Sequence, residues 1–483
     1  MNENNIPEKP APDLNELDTG GDALRCLLEK TGERLAGFIA SLPDQPTDSS
    51  ARFDPEADWL KAPLPASPAD AEGLLDFLFD EVIPAAYNPA SPGYLAYVPG
   101  GGLFSAALGE LIAGTVNRYT GCWASAPAAV ELETQAIRWL AEMMGLPEGS
   151  LGVLTSGASM STLIALVAAR EKHLGEELRR GVIYSSSEIH HSIPKAARIA
   201  GLAEKNLRQV AVDENFRMRP EKLQEAIRAD RDAGLLPFFV CSSAGTVNTG
   251  SIDPLAEIAR VAAEEGLWHH VDGAYGAAFR LVPELADALS GMGLADSLAV
   301  DPHKGLFLAY GTGALLVRDM APLRDAFQST ASYMPNMQTG EHYDFCEFTP
   351  ELSREWRGLR LWLPLKLHGI DAFRDSLGLK RELTLRAWEH LNAIEDVEIP
   401  AAPDLTLFIF RQRFSGCEAS EEDARNQALL EKINRHQRVM LTGTIVDGRF
   451  YLRMCILHLR TDHSRLDEAL SIISNALKEL REG

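Results

Sequence analysis

Residues 301–307, DPHKGLF, lie between two apolar runs, 297–300 (SLAV) and 313–317 (GALLV). The apolar runs predict buried strands, which places Lys304 near the end of one of them and beside His303. An amine in such a place can lose its proton through desolvation and become a nucleophile that binds an aldehyde. A solvated loop lysine is the alternative, and it is the better interpretation of any lysine taken alone. The rest of the chain must decide between them.

Short β-like runs alternate with helical stretches from residue 152 to residue 317, which predicts a mostly parallel sheet with helices on both faces. In such a sheet, ligands collect at the carboxyl ends of the strands. Candidate residues for chemistry follow these runs directly. The predicted strands are residues 152–154, 182–185, 237–242, 267–271, 297–300 and 314–317.

An anion site is predicted after the first strand, where residues 155–159 (TSGAS) open a helix. Small residues with free backbone N–H groups at a helix N-terminus bind anions, and phosphate is the usual occupant. No Gly-Lys-Ser/Thr follows, so the segment is not a Walker motif and nucleotide hydrolysis loses support. An ordinary helix cap is the alternative.

His190, in residues 187–192 (SEIHHS), follows the second strand. A histidine there can lie flat on a heteroaromatic ring or transfer protons. The alternatives are a hydrogen-bonded histidine near a helix start or, with His191, a metal pair. Because no third ligand appears at a convincing spacing, no metal is predicted.

Asp272, in residues 269–276 (HHVDGAYG), ends another predicted strand. A carboxylate in this place can pair with a pyridinium nitrogen and keep it protonated. Ala274 is small enough to let a ring lie against the backbone. Thr246 also follows a strand and could bond a ring or carboxylate oxygen. For Asp272, the alternative is an aspartate that caps a turn.

This order of residues at successive strand ends resembles the group II pyridoxal-phosphate decarboxylases, the family of aromatic-L-amino-acid, histidine and glutamate decarboxylases. The most specific segments are residues 270–275 (HVDGAY) and 301–304 (DPHK). The resemblance spans nearly the whole chain. It implies an α/β fold of the pyridoxal-phosphate-dependent transferase fold type I. The expected domains are N-terminal helices (1–90), a large domain with a mostly parallel seven-stranded-type sheet (91–370) and a small C-terminal α+β domain (371–483).

The resemblance also implies roles for the residues. Lys304 is the Schiff-base lysine for pyridoxal 5'-phosphate, Asp272 pairs with the pyridinium nitrogen, and His190 stacks on the ring. Gly273 and Gly305 depart from the family pattern, which carries alanine and a bulky residue there. The remaining cofactor contacts that it implies are Gly157, Ala158, Ser159, Thr246, Ala274, Asp301 and His303.

Tyr333 matches a tyrosine that, in related decarboxylases, lies on a loop after the lysine and protonates the carbanion left by CO₂ loss in the partner subunit's site. Relatives with phenylalanine there make aldehydes oxidatively. The resemblance therefore implies decarboxylation of an L-amino acid to its amine. The alternatives are an aldehyde synthase, aminotransferase or carbon–carbon lyase on the same scaffold, or a non-catalytic relative that serves as a binding subunit.

The substrate is less well determined by the sequence. Tyr97 and Trp123 allow an aromatic substrate, whereas Arg357 could recognise an acidic one or pair structurally with Glu355 or a nearby acid. Small residues at Gly100 and Gly121 suggest a changed pocket. The full set of candidates is Tyr97, Val98, Pro99, Gly100, Gly121, Cys122, Trp123 and Arg357.

The composition indicates which classes of partner the protein is expected to bind and in which cellular compartment it is expected to lie. The 483 residues carry 46 Lys and Arg against 69 Asp and Glu, a net charge of −23, so nucleic acid is not an expected partner. Six widely spaced cysteines indicate reduced thiols, and no signal or membrane-spanning segment is predicted, so we expect a cytoplasmic protein. Amphipathic helices at residues 23–39 and 71–82 lack a core of their own, which predicts that they pack on another surface, such as a second subunit. The resemblance, in which the loop tyrosine acts across subunits, implies a homodimer with shared active sites.

Overall fold

The computed structural model describes Leu17, residues 20–328 and residues 342–482. The chain divides into two compact units, Met1–Ser91 and Pro92–Gly483. In the first unit, helices α1 (Gly21–Ser41) and α2 (Ala71–Phe77) confirm the two predicted helices, and a π-helical turn, Leu78–Val82, continues α2. None of the residues of α1 is buried.

The second unit contains a seven-stranded sheet in the order β1-β7-β6-β5-β4-β2-β3. Only β7 runs antiparallel to its neighbours, and the other pairs are parallel, as predicted. The strands are β1 (Leu151–Thr155), β2 (Gly181–Ser186), β3 (Leu207–Val210), β4 (Leu236–Ser243), β5 (Trp268–Asp272), β6 (Ser297–Val300) and β7 (Gly313–Val317).

Helices surround this sheet. Helix α5 begins within the TSGAS segment, at Ala158, and packs on the sheet through a buried face. The helices are α3 (Phe104–Val116), α4 (Pro127–Met143), α5 (Ala158–Leu174), α6 (Ser192–Ile199), α7 (Pro220–Asp232), α8 (Leu255–Glu264), α9 (Pro302–Gly305) and α10 (Ala321–Phe327).

The chain ends in a second, antiparallel sheet in the order β10-β11-β9-β8, covered by helices. Helix α11 is interrupted at Gly369, whose φ of 72° is open to glycine at little cost. The boundary predicted near residue 370 stays a prediction. The elements are α11 (Gly358–Asn392), β8 (Val397–Glu398), β9 (Leu407–Gln412), α12 (Ala419–Asn434), β10 (Thr442–Val446), β11 (Arg449–Cys455) and α13 (His463–Glu482).

No helix among the described residues is long and apolar enough to cross a membrane.

Candidate active site

A cavity of about 290 Å³ lies at the carboxyl ends of the parallel strands. It brings together nine of the cofactor residues that the sequence predicts. Its lining consists of Ser156, Gly157, Ala158, Ser159, Met160, His190, Ser192, Ser243, Gly245, Val247, Asp272, Ala274, Tyr275, Asp301, His303 and Lys304.

Lys304 occupies the single helical turn α9, which immediately follows β6. Its Nζ lies 3.0 Å from Oδ2 of Asp301, and its side chain is 23% exposed. The other oxygen of Asp301, Oδ1, accepts a hydrogen bond of 2.7 Å from the N–H of Ala158. One carboxylate therefore links the lysine to the first residue of helix α5.

His303 has its tautomer fixed by the backbone. Its Nδ1 lies 2.8 Å from the carbonyl oxygen of Thr312, and a carbonyl can only accept a hydrogen bond, so Nδ1 carries a proton. Its Nε2 lies 3.7 Å from Oδ2 of Asp301. The ring of His303 therefore lies between Thr312, the residue before β7, and Asp301.

The N-terminus of α5 forms one end of the cavity. The turn before it lies so close to β7 that a Cβ atom on Gly313 would come within 2.4 Å of Cα of Gly157. Only glycine at residue 313 allows this approach. The close contact fixes where the first N–H groups of α5 point, and these groups have no partners within the helix.

Asp272 ends strand β5 and is 8% exposed. Burial raises the pKa of its carboxyl group, while the charge of Lys304 and the hydrogen bond that Ala274 N–H donates to its Oδ1, at 3.1 Å, oppose the rise. A buried carboxylate of this kind is stabilised by a cationic partner. Ala274 packs with Ala158 and Ala299, so small side chains border the cavity beside it.

His190 is neutral at physiological pH, because burial, His191 and Lys304 together lower its pKa to about 4. Its Nδ1 accepts a hydrogen bond of 3.2 Å from the N–H of Ser192. An N–H can only donate, so the proton of the neutral ring is on Nε2. The ring centroid of His190 lies 4.0 Å from that of His191.

The triple-glycine segment, residues 100–102 (GGG), lies directly against α9, the turn that carries Lys304. A Cβ on Gly100 would lie 2.2 Å from the carbonyl oxygen of His303, and the N–H of Leu103 donates a 2.7 Å hydrogen bond to Phe307. Gly100 is therefore small because two backbone segments meet there. The changed substrate pocket that the sequence suggested from Gly100 stays a prediction.

Not every predicted residue lines the cavity that the described residues define. The hydroxyl of Thr246 lies 2.7 Å from that of Thr249. The guanidinium of Arg357 is engaged by Glu351, at 2.7 Å, and by Glu355, at 3.0 Å, which is the structural alternative for this residue. The substrate contacts proposed for Tyr97, Pro99, Gly100, Trp123 and Arg357 stay predictions.

Tyr333 lies outside the described residues. Trp123 contacts the chain that follows that region, since its ring stacks on His342 at 3.8 Å and its N–H donates to Asp344. Trp123 also donates from Nε1 to Glu131 at 2.9 Å.

Sequence reasoning missed several lining residues, among them Ser243, Gly245 and Val247. Their position at or just after the end of strand β4 could have identified them, but only Thr246 was selected there. It also missed Arg453, which is 5% exposed and donates to the carbonyl oxygens of Val247, at 2.8 Å, and Tyr97, at 2.7 Å. No local sequence pattern could have identified Arg453, because it donates to backbone carbonyl oxygens more than two hundred residues away in the sequence.

The donor set fits pyridoxal 5'-phosphate. A helix N-terminus suits the phosphate, the Lys304 amine suits the aldehyde, and the buried carboxylate of Asp272 suits a protonated ring nitrogen. All three border one cavity, and alanines leave room between them. Among the described residues, no group of three His, Cys, Asp or Glu could hold a metal ion.

Comparison with known proteins gives the same family. Residues 59–413 match the pyridoxal-dependent decarboxylase conserved domain. The chain is 29% identical to an aromatic-L-amino-acid decarboxylase of Bacillus atrophaeus, over 96% of this chain and 97% of that protein. It is 30% identical to a phenylacetaldehyde synthase of Arabidopsis thaliana, over 92% and 95%.

A solved structure agrees over the whole fold. The crystal structure of Oryza sativa TDC with PLP and tryptamine superposes with a TM-score of 0.92 and 28% identity, covering 97% of this chain and 99% of that one. The chain therefore belongs to the pyridoxal-dependent decarboxylase family and is an enzyme of that class, with pyridoxal 5'-phosphate as its cofactor.

Proposed function

We propose that the protein decarboxylates an aromatic L-amino acid to the corresponding amine and CO₂. The observation that carries the proposal is the single cavity in which Lys304, Asp272 and His190 meet. The substrate class is supported by the Bacillus relative, named for aromatic amino acids, and by the Oryza structure, which holds tryptamine. Arg357 supports it too, because two glutamates already engage the cation that an acidic substrate would need.

We assign the residues of this cavity separate tasks. When bound, pyridoxal phosphate supplies an electron sink for the pair left by CO₂ loss. Lys304 holds the cofactor through its amine, and Asp272 keeps a proton at the ring nitrogen. The N–H and hydroxyl of Ser159 hold the phosphate at the start of α5. Ala158, whose own N–H donates to Asp301, borders the phosphate, and Gly157 lets the backbone approach it. Asp301 positions Lys304 against that same turn.

His190 lies over the cofactor ring in this proposal and can donate a proton from Nε2. The lowered pKa keeps it neutral, so it brings no second positive charge close to Lys304. Tyr333 is the residue to which we assign protonation of the substrate carbon. A phenolic hydroxyl can donate that proton and phenylalanine cannot.

The phenylacetaldehyde synthase relative makes oxidative aldehyde formation the second candidate. Tyr333 favours the amine, because the family resemblance implies aldehyde formation for relatives that carry phenylalanine at this position. The two reactions differ in their products, so product analysis separates them.

The proposed assembly is a homodimer in which each Tyr333 serves the partner subunit's site. Exposed leucines on α1 support it: Leu24, Leu27 and Leu28 are 38%, 41% and 44% exposed. An apolar helix face of this kind is stabilised by burial against another surface. A cytoplasmic location is proposed with it, on the wide spacing of the six cysteines.

The substrate proposal is tested by measuring kcat/KM of the holoenzyme for L-tryptophan, L-tyrosine and L-phenylalanine against L-glutamate and L-histidine. We expect one aromatic substrate to exceed both polar ones by about a hundredfold or more, since burial of an aromatic ring dominates recognition. A preference for L-glutamate would contradict the proposal and would point back to Arg357.

A further inference from the structure

A second cavity, of about 540 Å³, lies between the end of α4, the 3-10 helix Ala277–Leu281 and helix α11. It shares no lining residue with the cavity at Lys304. The two are nevertheless close along the chain, because Ala277–Leu281 follows the Asp272–Tyr275 segment directly. None of the residues that line it has a role in the proposed decarboxylation.

The cavity is cationic in a chain whose net charge is −23. Three basic side chains, Arg280, Lys366 and Arg374, line it together with one acid, Glu142. Arg374 pairs with Asp371. The excess of positive charge favours an anion and disfavours the amine product of a decarboxylase.

Arg280 is the decisive residue. Its Nε is buried and has no hydrogen-bond partner among the described residues. This Nε is closed to solvent, so an oxyanion in the cavity would be held by the other guanidinium nitrogens and would neutralise the charge that Arg280 carries there. Gly145 leaves the space beside it open, because a Cβ there would lie 3.2 Å from that Nε.

The remaining wall is apolar. It consists of Trp139, Met143, Leu281, Leu365 and Ile370. A ligand that matches both parts has a carboxylate or phosphate for the guanidinium and an alkyl or aryl body for the wall. An inorganic anion would leave the wall unfilled, and a neutral apolar molecule would leave Arg280 without a partner.

We propose that this cavity binds an organic oxyanion with an apolar body, held by Arg280. The ligand contacts the 3-10 helix Ala277–Leu281. Ala278 of that helix packs against the residue after Lys304, since a Cβ on Gly305 would lie 2.5 Å from Cβ of Ala278. The proposed site is therefore separate from the cofactor cavity, but it adjoins the 3-10 helix Ala277–Leu281, which packs against the turn that carries Lys304.

Calorimetric titration of the holoenzyme with octanoate, octyl phosphate and 1-octanol tests the proposal. We expect one anion site per chain, with 1-octanol at least about tenfold weaker because it lacks the charge. Tighter binding of octanoate identifies a carboxylate ligand, and tighter binding of octyl phosphate identifies a phosphate ester. Arg280→Met should weaken both anions about tenfold or more. Arg260→Met, which removes an exposed arginine paired with Glu264 on α8, should leave them unchanged.

Tryptophan fluorescence gives a second readout that does not depend on the stability of the Arg280 variant. Octanoate should change the emission of the wild-type protein, and Trp139→Phe should remove most of that change while still binding octanoate. Equal octanoate affinity in wild type and Arg280→Met, equal affinity for 1-octanol and octanoate, or a fluorescence change that Trp139→Phe leaves intact would each overturn the proposal.

Discussion

The carboxyl group of Asp272 is buried, which raises the free energy of its ionised form, and its Oδ1 accepts a hydrogen bond from the N–H of Ala274. We expect Asp272→Asn to lower kcat/KM by about a hundredfold or more, because an amide cannot stabilise a protonated ring nitrogen in a buried site. Borohydride should still attach the cofactor to Lys304, and mass spectrometry of the peptide checks this. Asp230→Asn, a buried aspartate that pairs with Arg208 elsewhere, is the matched control and should retain activity. Equal losses in the two variants would assign Asp272 to folding alone.

Two neighbouring histidines make stability depend on pH. Burial lowers the pKa of His269 and of His270 to about 3, against 6.5 for the unfolded chain. Below pH 6.5 the unfolded chain therefore binds more protons than the folded protein. The free energy of unfolding is highest above that pH, where both rings are neutral in either state, and it falls as the pH falls towards 3. In His270→Asn, the free energy of unfolding in urea should fall less steeply between about pH 6 and about pH 4, by about 1 kcal/mol per pH unit. An unchanged slope would contradict the assignment.

The triple-glycine segment and the α9 turn meet as two backbone elements, and Gly100 tests that contact. Gly100→Ala should lower both the melting temperature and kcat/KM, because the new Cβ would lie 2.2 Å from the carbonyl oxygen of His303 and must displace the lysine turn. Gly114→Ala on α3 is the control. It has open space around it, and alanine favours the helix by about 1 kcal/mol. If both variants behave alike, the contact does not position Lys304.

The elements differ in how much of them the sequence could predict. The buried strands β1, β6 and β7 are continuous apolar runs, so their positions follow from composition alone. Strand β3, which was missed, is an edge strand of sequence LRQV whose polar side chains hide it. Candidate site residues at strand ends, such as Asp272, could be identified from the sequence one by one. The contact that Arg453 makes with the backbone of Val247 depends on the tertiary fold and leaves no local signal.

At the scale of the whole molecule, the proposed shared site can be tested by mixing subunits. Lys304→Ala and Tyr333→Phe should each lose amine formation alone. Co-expressed together, they should recover about a quarter of wild-type activity, since half of randomly paired dimers are mixed and one of their two sites is complete. No recovery, in mixed dimers shown to form by sedimentation, would place Tyr333 in the site of its own subunit.

Lys304 and its cavity are proposed to carry out decarboxylation of an aromatic L-amino acid. The most direct measurement is the product balance of the holoenzyme with its best aromatic substrate, with CO₂, amine, aldehyde and hydrogen peroxide measured by mass spectrometry and a coupled peroxide assay. We predict CO₂ and amine in equal amounts, no aldehyde, and no product from Lys304→Ala. Aldehyde with hydrogen peroxide, or a keto acid without CO₂, would contradict the account.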